Sequence, residues 1–158
     1  MADAYVAGLK LLARRELSEA QLGARLRRRR FDDEEVDAAL ARLRREGALD
    51  DRRTALACAR TEAHLKRHGR LRALRQVEAI GIPRGIARAA VAEAFADLDE
   101  DALIAEALER RLRRGGGVPE PTTAAFGRLH RYLLAQGFDP GRVMAAIRSR
   151  LTGAHHDD

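Results

Sequence analysis

His64 and His68 stand four residues apart among helix-forming residues, the spacing that puts two imidazoles on one helix face and can hold a zinc ion. No glutamate follows His64 to complete a His-Glu-x-x-His motif, and no third ligand lies near the pair, so a solvated helix face is expected. Cys58 is the only cysteine: it can form no internal disulfide and no cysteine-based zinc site. Its Leu-Ala-Cys-Ala setting reads as a small buried hydrophobe. Asp50-Asp51 could take a cation, or work beside a histidine in an enzyme, but two aspartates ahead of a helical stretch are explained by N-capping. Ser18 has no base at a recognisable spacing. Neither lysine, Lys10 or Lys66, follows a glycine, which excludes a P-loop, and Gly115-Gly-Gly117 has no strand before it and reads as a linker. No catalytic residue, cofactor or metal is expected.

Charge is more informative. Lys66, Arg67, Arg70, Arg72 and Arg75 cluster around Gly69, and a basic turn between two helices can contact phosphates or an acidic protein groove. Arg27 to Arg30 are consecutive and spread over most of a helix circumference, so they cannot form one face. The expected partner-contacting residues are Arg67, Arg70, Arg72 and Arg75, with Arg27 and Arg28 second. Residues 1–49 carry 11 basic and 9 acidic side chains, residues 50–97 carry 10 and 6, and residues 98–158 carry 9 and 9, so the excess is concentrated in the middle.

The elements that must position these groups are helical. The chain has 158 residues, a formal charge of +6, 46% apolar residues but only 4% aromatics, and no Trp. That composition fills a core, argues against β-sandwiches and barrels, and favours Ala-, Leu- and Arg-rich helices. No apolar run approaches the roughly 20 residues of a membrane span, and the N-terminus shows no secretory pattern. A soluble cytoplasmic protein is expected.

Self-similarity organises the helices. A shift of 107 residues lays Leu22, Leu26, Phe31, Val36 and Leu40 on Leu129, Leu133, Phe138, Val143 and Ile147. A shift of 51 lays Leu26, Arg30 and Phe31 on Val77, Gly81 and Ile82. Each copy reads as three helices. In the first, Tyr5, Leu9 and Leu12 form one stripe; Ser18 and Gln21 form a capping box; Asp32 caps a third helix, with Phe31 and Val36 placed as a hydrophobic staple. Asp50-Asp51 opens the second copy, whose first helix is expected to run to Gly69. Asp99 opens the third copy, and Asp139 with Pro140 repeats its last corner. Gly81 and Gly137 stand where a helix end wants a left-handed residue, a place Arg30 fills in the first copy. The reading is an all-α chain of three tandem three-helix repeats, 1–49, 50–97 and 98–151, with a Gly/Pro linker at 115–121 and a disordered tail at 152–158 that contains His155 and His156. Such units are expected to stack into an elongated, curved module.

From about Ala4 to Leu151 this pattern resembles the RecX family of regulatory proteins. The most specific segment is Glu46-Gly-Ala-Leu-Asp-Asp51-Arg-Arg, followed by Lys66-Arg-His-Gly69-Arg70-Leu71 and Gly81-Ile82. Leu11 to Ser18 resembles the family's N-terminal signature, and Gly137-Phe138 that of its last repeat. Thr54 stands where the family usually has an aromatic, and Arg30 where it has glycine. The resemblance implies a non-enzymatic modulator that binds the recombinase RecA and its filaments on single-stranded DNA; stacked repeats with exposed end faces permit a monomer. It would depress ATP hydrolysis, coprotease activity and strand exchange, and so limit recombination, DNA repair and the SOS response; weak direct DNA binding is a further expectation. A helix-turn-helix-like protein acting on bare DNA is the alternative; the neutral third copy and the few Asn, Gln and Lys residues argue against it.

Overall fold

A computed structural model describes residues 3–153. Among these it is all-helical, with α1 (Ala4–Arg14), α2 (Glu19–Arg28), α3 (Asp33–Arg45), α4 (Asp51–Arg60), a π-helical turn (Thr61–Leu65), α5 (Arg70–Ala79), α6 (Arg84–Ala94), α7 (Glu100–Arg114), α8 (Thr123–Ala135) and α9 (Pro140–Gly153). Residues 154–158 of the expected tail, including His155 and His156, lie outside the described residues, whereas Thr152 and Gly153 close α9. The chain divides into two compact units, one drawn from Met1–Ala59 and Leu74–Glu93, the other from Arg60–Ala73 and Ala94–Asp158.

The first unit is built on α1, α2 and α3. Ser18 caps α2 with a complete capping box: its side chain accepts the Gln21 N–H, and the Gln21 side chain accepts the Ser18 N–H. Asp3 caps α1 and Asp32 caps α3, each accepting a backbone N–H three residues on at 2.8 Å. These caps fix where each helix starts, and so which side chains face inward. Leu17, Leu22, Leu26, Val36 and Leu43 are fully buried and Leu49 nearly so, with Phe31 packed half-buried against them. Each such leucine contributes about 1.5–3 kcal/mol relative to exposure. On the outside, the Tyr5 hydroxyl donates to Glu46 at 2.6 Å while the Arg42 guanidinium lies 3.6 Å over the Tyr5 ring, tying α1 to α3.

Ser18 has a second task. Its hydroxyl is buried and donates to the Ile80 carbonyl at the turn between α5 and α6. Gly81 takes φ +89° there, and a Cβ on it would stand 2.5 Å from the Ala20 Cβ, so both its handedness and its lack of a side chain are required. Thr54 is buried with its hydroxyl 3.5 Å from the Leu17 carbonyl oxygen.

In the second unit α7, α8 and α9 pack on one another. Asp99, Thr122 and Asp139 cap them, and Pro140 is the first residue of α9. Leu103, Ile104, Ala107, Leu108, Leu112, Leu129, Leu133, Phe138, Val143 and Ile147 are buried. All the positions related by the 107-residue shift are thus buried in both copies except Phe31, which is half-buried where Phe138 is fully so. Gly137 adopts φ +94° at the α8–α9 corner, and Arg30 takes φ +68° at the corresponding place.

Candidate partner-binding corner

The helix that begins at Asp51 does not run to Gly69. It ends in the π-helical turn, which Glu62 ties off. The Glu62 carbonyl accepts the His68 N–H at 2.9 Å, and its carboxylate, 3% exposed, receives Lys66 Nζ at 2.9 Å and faces His68 Nδ1 at 2.6 Å. Burial alone would push this carboxyl up, but the hydrogen bonds from His68 and Lys66 outweigh it and hold Glu62 below the ordinary carboxylate range. His68 is therefore half-buried and engaged rather than on a solvated face; His64 is exposed. Cys58, expected to be buried, is partly exposed.

The chain then turns through Arg67, whose φ of +57° is a left-handed conformation that a non-glycine residue adopts at a cost. Its guanidinium is held by Glu106 of α7, with contacts of 2.9 and 3.3 Å. Those bonds from Arg67 are the main reason the Glu106 carboxyl is lowered. Two residues on, backbone crosses backbone: the Gly69 N–H donates to the Gln136 carbonyl at 2.8 Å and the Leu71 N–H to the Gly137 carbonyl at 3.1 Å. A Cβ on Gly69 would lie 2.3 Å from the Gly137 oxygen, and one on Gly137 2.4 Å from the Arg72 nitrogen. Two glycines are what permit this approach.

Of the four arginines expected around this turn, three serve the fold. Arg67 pairs with Glu106; Arg70 lies 5.3 Å over the Phe95 ring and donates to its carbonyl; Arg72 donates to the Ala135 carbonyl at 3.3 Å. Arg75 is exposed, and its side chain makes no ion pair or hydrogen bond among the described residues. In the first unit Arg27 reaches Asp33 at 3.0 Å and Asp37 at 3.5 Å, while Arg28 is exposed and makes neither kind of contact. Arg67, Arg70 and Arg72 belong to the locked corner, Arg27 and Arg28 to the end of α2.

Sequence reasoning missed Glu62, Glu106 and the two leucines of this corner, Leu65 and Leu71, which are 79% and 50% exposed. Glu62 four residues before Lys66 was a readable helical pair. Glu106 is 39 residues from Arg67 and carried no local signal. Asp50 and Asp51 are used structurally: Asp50 accepts the Arg52 and Arg53 N–H groups, and Asp51 accepts the Glu19 N–H at 2.8 Å. The cleft beside Asp50, about 380 Å³, is lined by Arg52, Arg53, Glu93 and apolar side chains, with no histidine, cysteine or serine. Among the described residues no group of three or more His, Cys, Asp or Glu is placed to hold a metal ion, and no helix is long and apolar enough to cross a membrane.

Comparison with known proteins fits this architecture. Residues 4–43, which span α1, α2 and most of α3, match the family model described as RecX, first three-helix domain. The chain is 33% identical over 140 residues to the regulatory protein RecX of Chlorobaculum tepidum, covering 89% of this chain and 83% of that one. It is 32% identical over 152 residues to the RecX of Treponema pallidum strain Nichols, covering 96% and 88%. The crystal structure of RecX from Lactobacillus salivarius shares the fold, with a TM-score of 0.77 at 16% identity over 94% of each chain. The chain belongs to the RecX family of regulatory proteins.

Proposed function

We propose that this protein is a non-enzymatic regulator that binds RecA and RecA filaments on single-stranded DNA in the cytoplasm and lowers their ATPase, coprotease and strand-exchange activities. The observation that carries this reading is family membership across nine-tenths of the chain: the resemblance implies RecA as the target, and the relatives are named regulatory proteins. The helices support it in kind. Caps and buried polar groups are used to hold corners rigid, which suits a surface that docks on another protein. Three tandem three-helix repeats offer several such corners, and several modest contacts on neighbouring protomers combine into avidity. Arg28 and Arg75, exposed and without a side-chain ion pair or hydrogen bond among the described residues, are two of the expected contact residues left free to meet acidic protein or a phosphate.

The test is single-strand-DNA-dependent ATP hydrolysis by RecA with this protein titrated in. Inhibition well below one molecule per RecA protomer is expected. Full hydrolysis at molar excess overturns the reading.

A further inference from the structure

Two leucines stand out of a corner in which most charged side chains are bonded to the fold. We propose that Leu65 and Leu71 are the anchors that seat in the protein partner, and that the matching surface on that partner is an apolar pocket rimmed by carboxylates. This rests on the reading above, that the chain acts by binding another protein.

The first observation is exposure. Leu65 and Leu71 are 79% and 50% exposed, against 37% for Val6 and Leu9, the other exposed large hydrophobics among the described residues, while the core leucines are buried. Single exposed leucines on a loose loop mean little, but this loop is not loose. The residues between the two leucines, and Arg72 beyond them, are fastened. Lys66 and His68 hold the buried Glu62, and Arg67 holds Glu106. Gly69 and Leu71 give their N–H groups to the α8–α9 corner, and Arg70 and Arg72 spend their guanidinium groups on Phe95 and Ala135. Even the left-handed Arg67 is kept in place by its ion pair. The leucines thus project from a turn whose backbone and guanidinium groups are bonded to the fold. An ordered apolar projection is also cheap to bind with, because little freedom is lost on docking.

The second observation is charge. Residues 60–73 contain five Lys or Arg and one acid, Glu62, which is buried, so the segment that carries the leucines has an excess of positive charge. Glu106, the acid that faces the segment from α7, is shared between Arg67 and Arg110 and does not reverse the sign. A two-fold pairing of this surface with itself would set the same cations face to face, so a second copy is a poor occupant. A pocket with an acidic rim is the complement.

The experiment compares the full-length wild type with Leu65→Ser, Leu71→Ser and the double variant for binding to recombinase filaments on single-stranded DNA, read by anisotropy of a fluorescently labelled chain. Each single change is expected to weaken binding about tenfold and the double change more. Circular dichroism and urea midpoints should stay at wild-type values, since neither leucine is in the core. Wild-type affinity should fall as salt is raised. Double-variant binding within twofold of wild type, with wild type bound, overturns this inference alone, and salt-independent wild-type affinity overturns the carboxylate rim. A wild-type dimer by sedimentation that the double variant abolishes makes the surface a self-interface and overturns the assignment. Failure of wild type to bind filaments defeats the functional reading, and this inference with it.

Discussion

Gly69→Ala tests the geometry of the corner directly. The added methyl would stand 2.3 Å from the Gly137 oxygen, 2.4 Å from its carbonyl carbon and 2.7 Å from the Phe138 nitrogen. All three are backbone atoms, so no side chain can swing aside. Gly69 is not among the residues with positive φ, so the cost is steric rather than conformational. Forcing a methyl into a packed site costs about 1–3 kcal/mol. Backing the strand of chain away also stretches the bonds from the Gly69 and Leu71 N–H groups, each worth about 1 kcal/mol. The sum is about 2–4 kcal/mol, which with a urea slope of about 2 kcal/mol per molar lowers the unfolding midpoint by about 1–2 M. Gly127→Ala is the control. It lies inside α8, and its methyl would meet only the flexible Arg131 guanidinium, at 3.3 Å. There the change should raise stability by about 0.5–1 kcal/mol, the helix-propensity gain. Urea titrations followed by circular dichroism measure both. A Gly69→Ala midpoint equal to wild type, or a Gly127→Ala loss as large as that of Gly69→Ala, refutes the backbone crossing.

Three further outcomes follow from the same geometry. Glu62 has a depressed pKa when folded, so its ionised form stabilises the protein above the unfolded value, and that stability is lost from about pH 4.3 downward. Glu62→Gln should therefore flatten the acid limb of the stability–pH curve while costing about 1–3 kcal/mol at neutral pH, read from urea midpoints at several pH values. Ser18→Ala removes both the α2 cap and the hydrogen bond to Ile80 and should cost about 1–3 kcal/mol by the same titration. Arg30→Gly should raise the midpoint by the equivalent of about 1 kcal/mol, because an exposed non-glycine residue at φ +68° is relieved of its left-handed penalty.

What the sequence disclosed was what is local. Ser18 with Gln21, Asp32 and Asp139 with Pro140 are caps that need only the next three residues to act, and each caps the helix it was expected to cap; Asp99, expected to open the third copy, caps α7. The left-handed corners were readable for the same reason: a helix end, one residue, one glycine. The end of the fourth helix was not. Nothing within a few residues of Thr61 breaks a helix, and the π-helical turn is tied off by a carboxylate that binds His68 six positions on. The partners of Arg67 and Arg72 lie 39 and 63 residues away, a separation at which periodicity and composition carry no signal. A cluster of cations in sequence looks like a binding site because their partners are invisible there.

The same accounting changes where attraction to a polyanion should be sought. Residues 98–158 carry equal numbers of acidic and basic side chains, which suggests a neutral region. In the fold the two signs separate. Glu100, Asp101, Glu106 and Glu109, along the first two-thirds of α7, are taken by Arg142, Arg67, Arg110 and Arg150. Beyond them Arg114 at the end of α7, with Arg128 and Arg131 on α8, is exposed and has no ion pair or hydrogen bond from its side chain among the described residues. Arg111 lies 5.6 Å over the Tyr132 ring and, with Arg128, lines a small cleft of about 140 Å³. Low-salt binding to a single-stranded oligonucleotide should therefore depend on this end of the second unit. Arg114→Glu with Arg128→Glu should weaken it and lower the slope of log K against log salt by about 1.4, the value for two phosphate contacts on a single strand. Arg70→Ala with Arg72→Ala should leave that slope near wild type and instead lower the urea midpoint, because those two guanidinium groups are already bonded to the fold. The reverse pattern would mean that the corner's internal bonds yield to phosphate, and the partition of arginines into structural and free would be wrong.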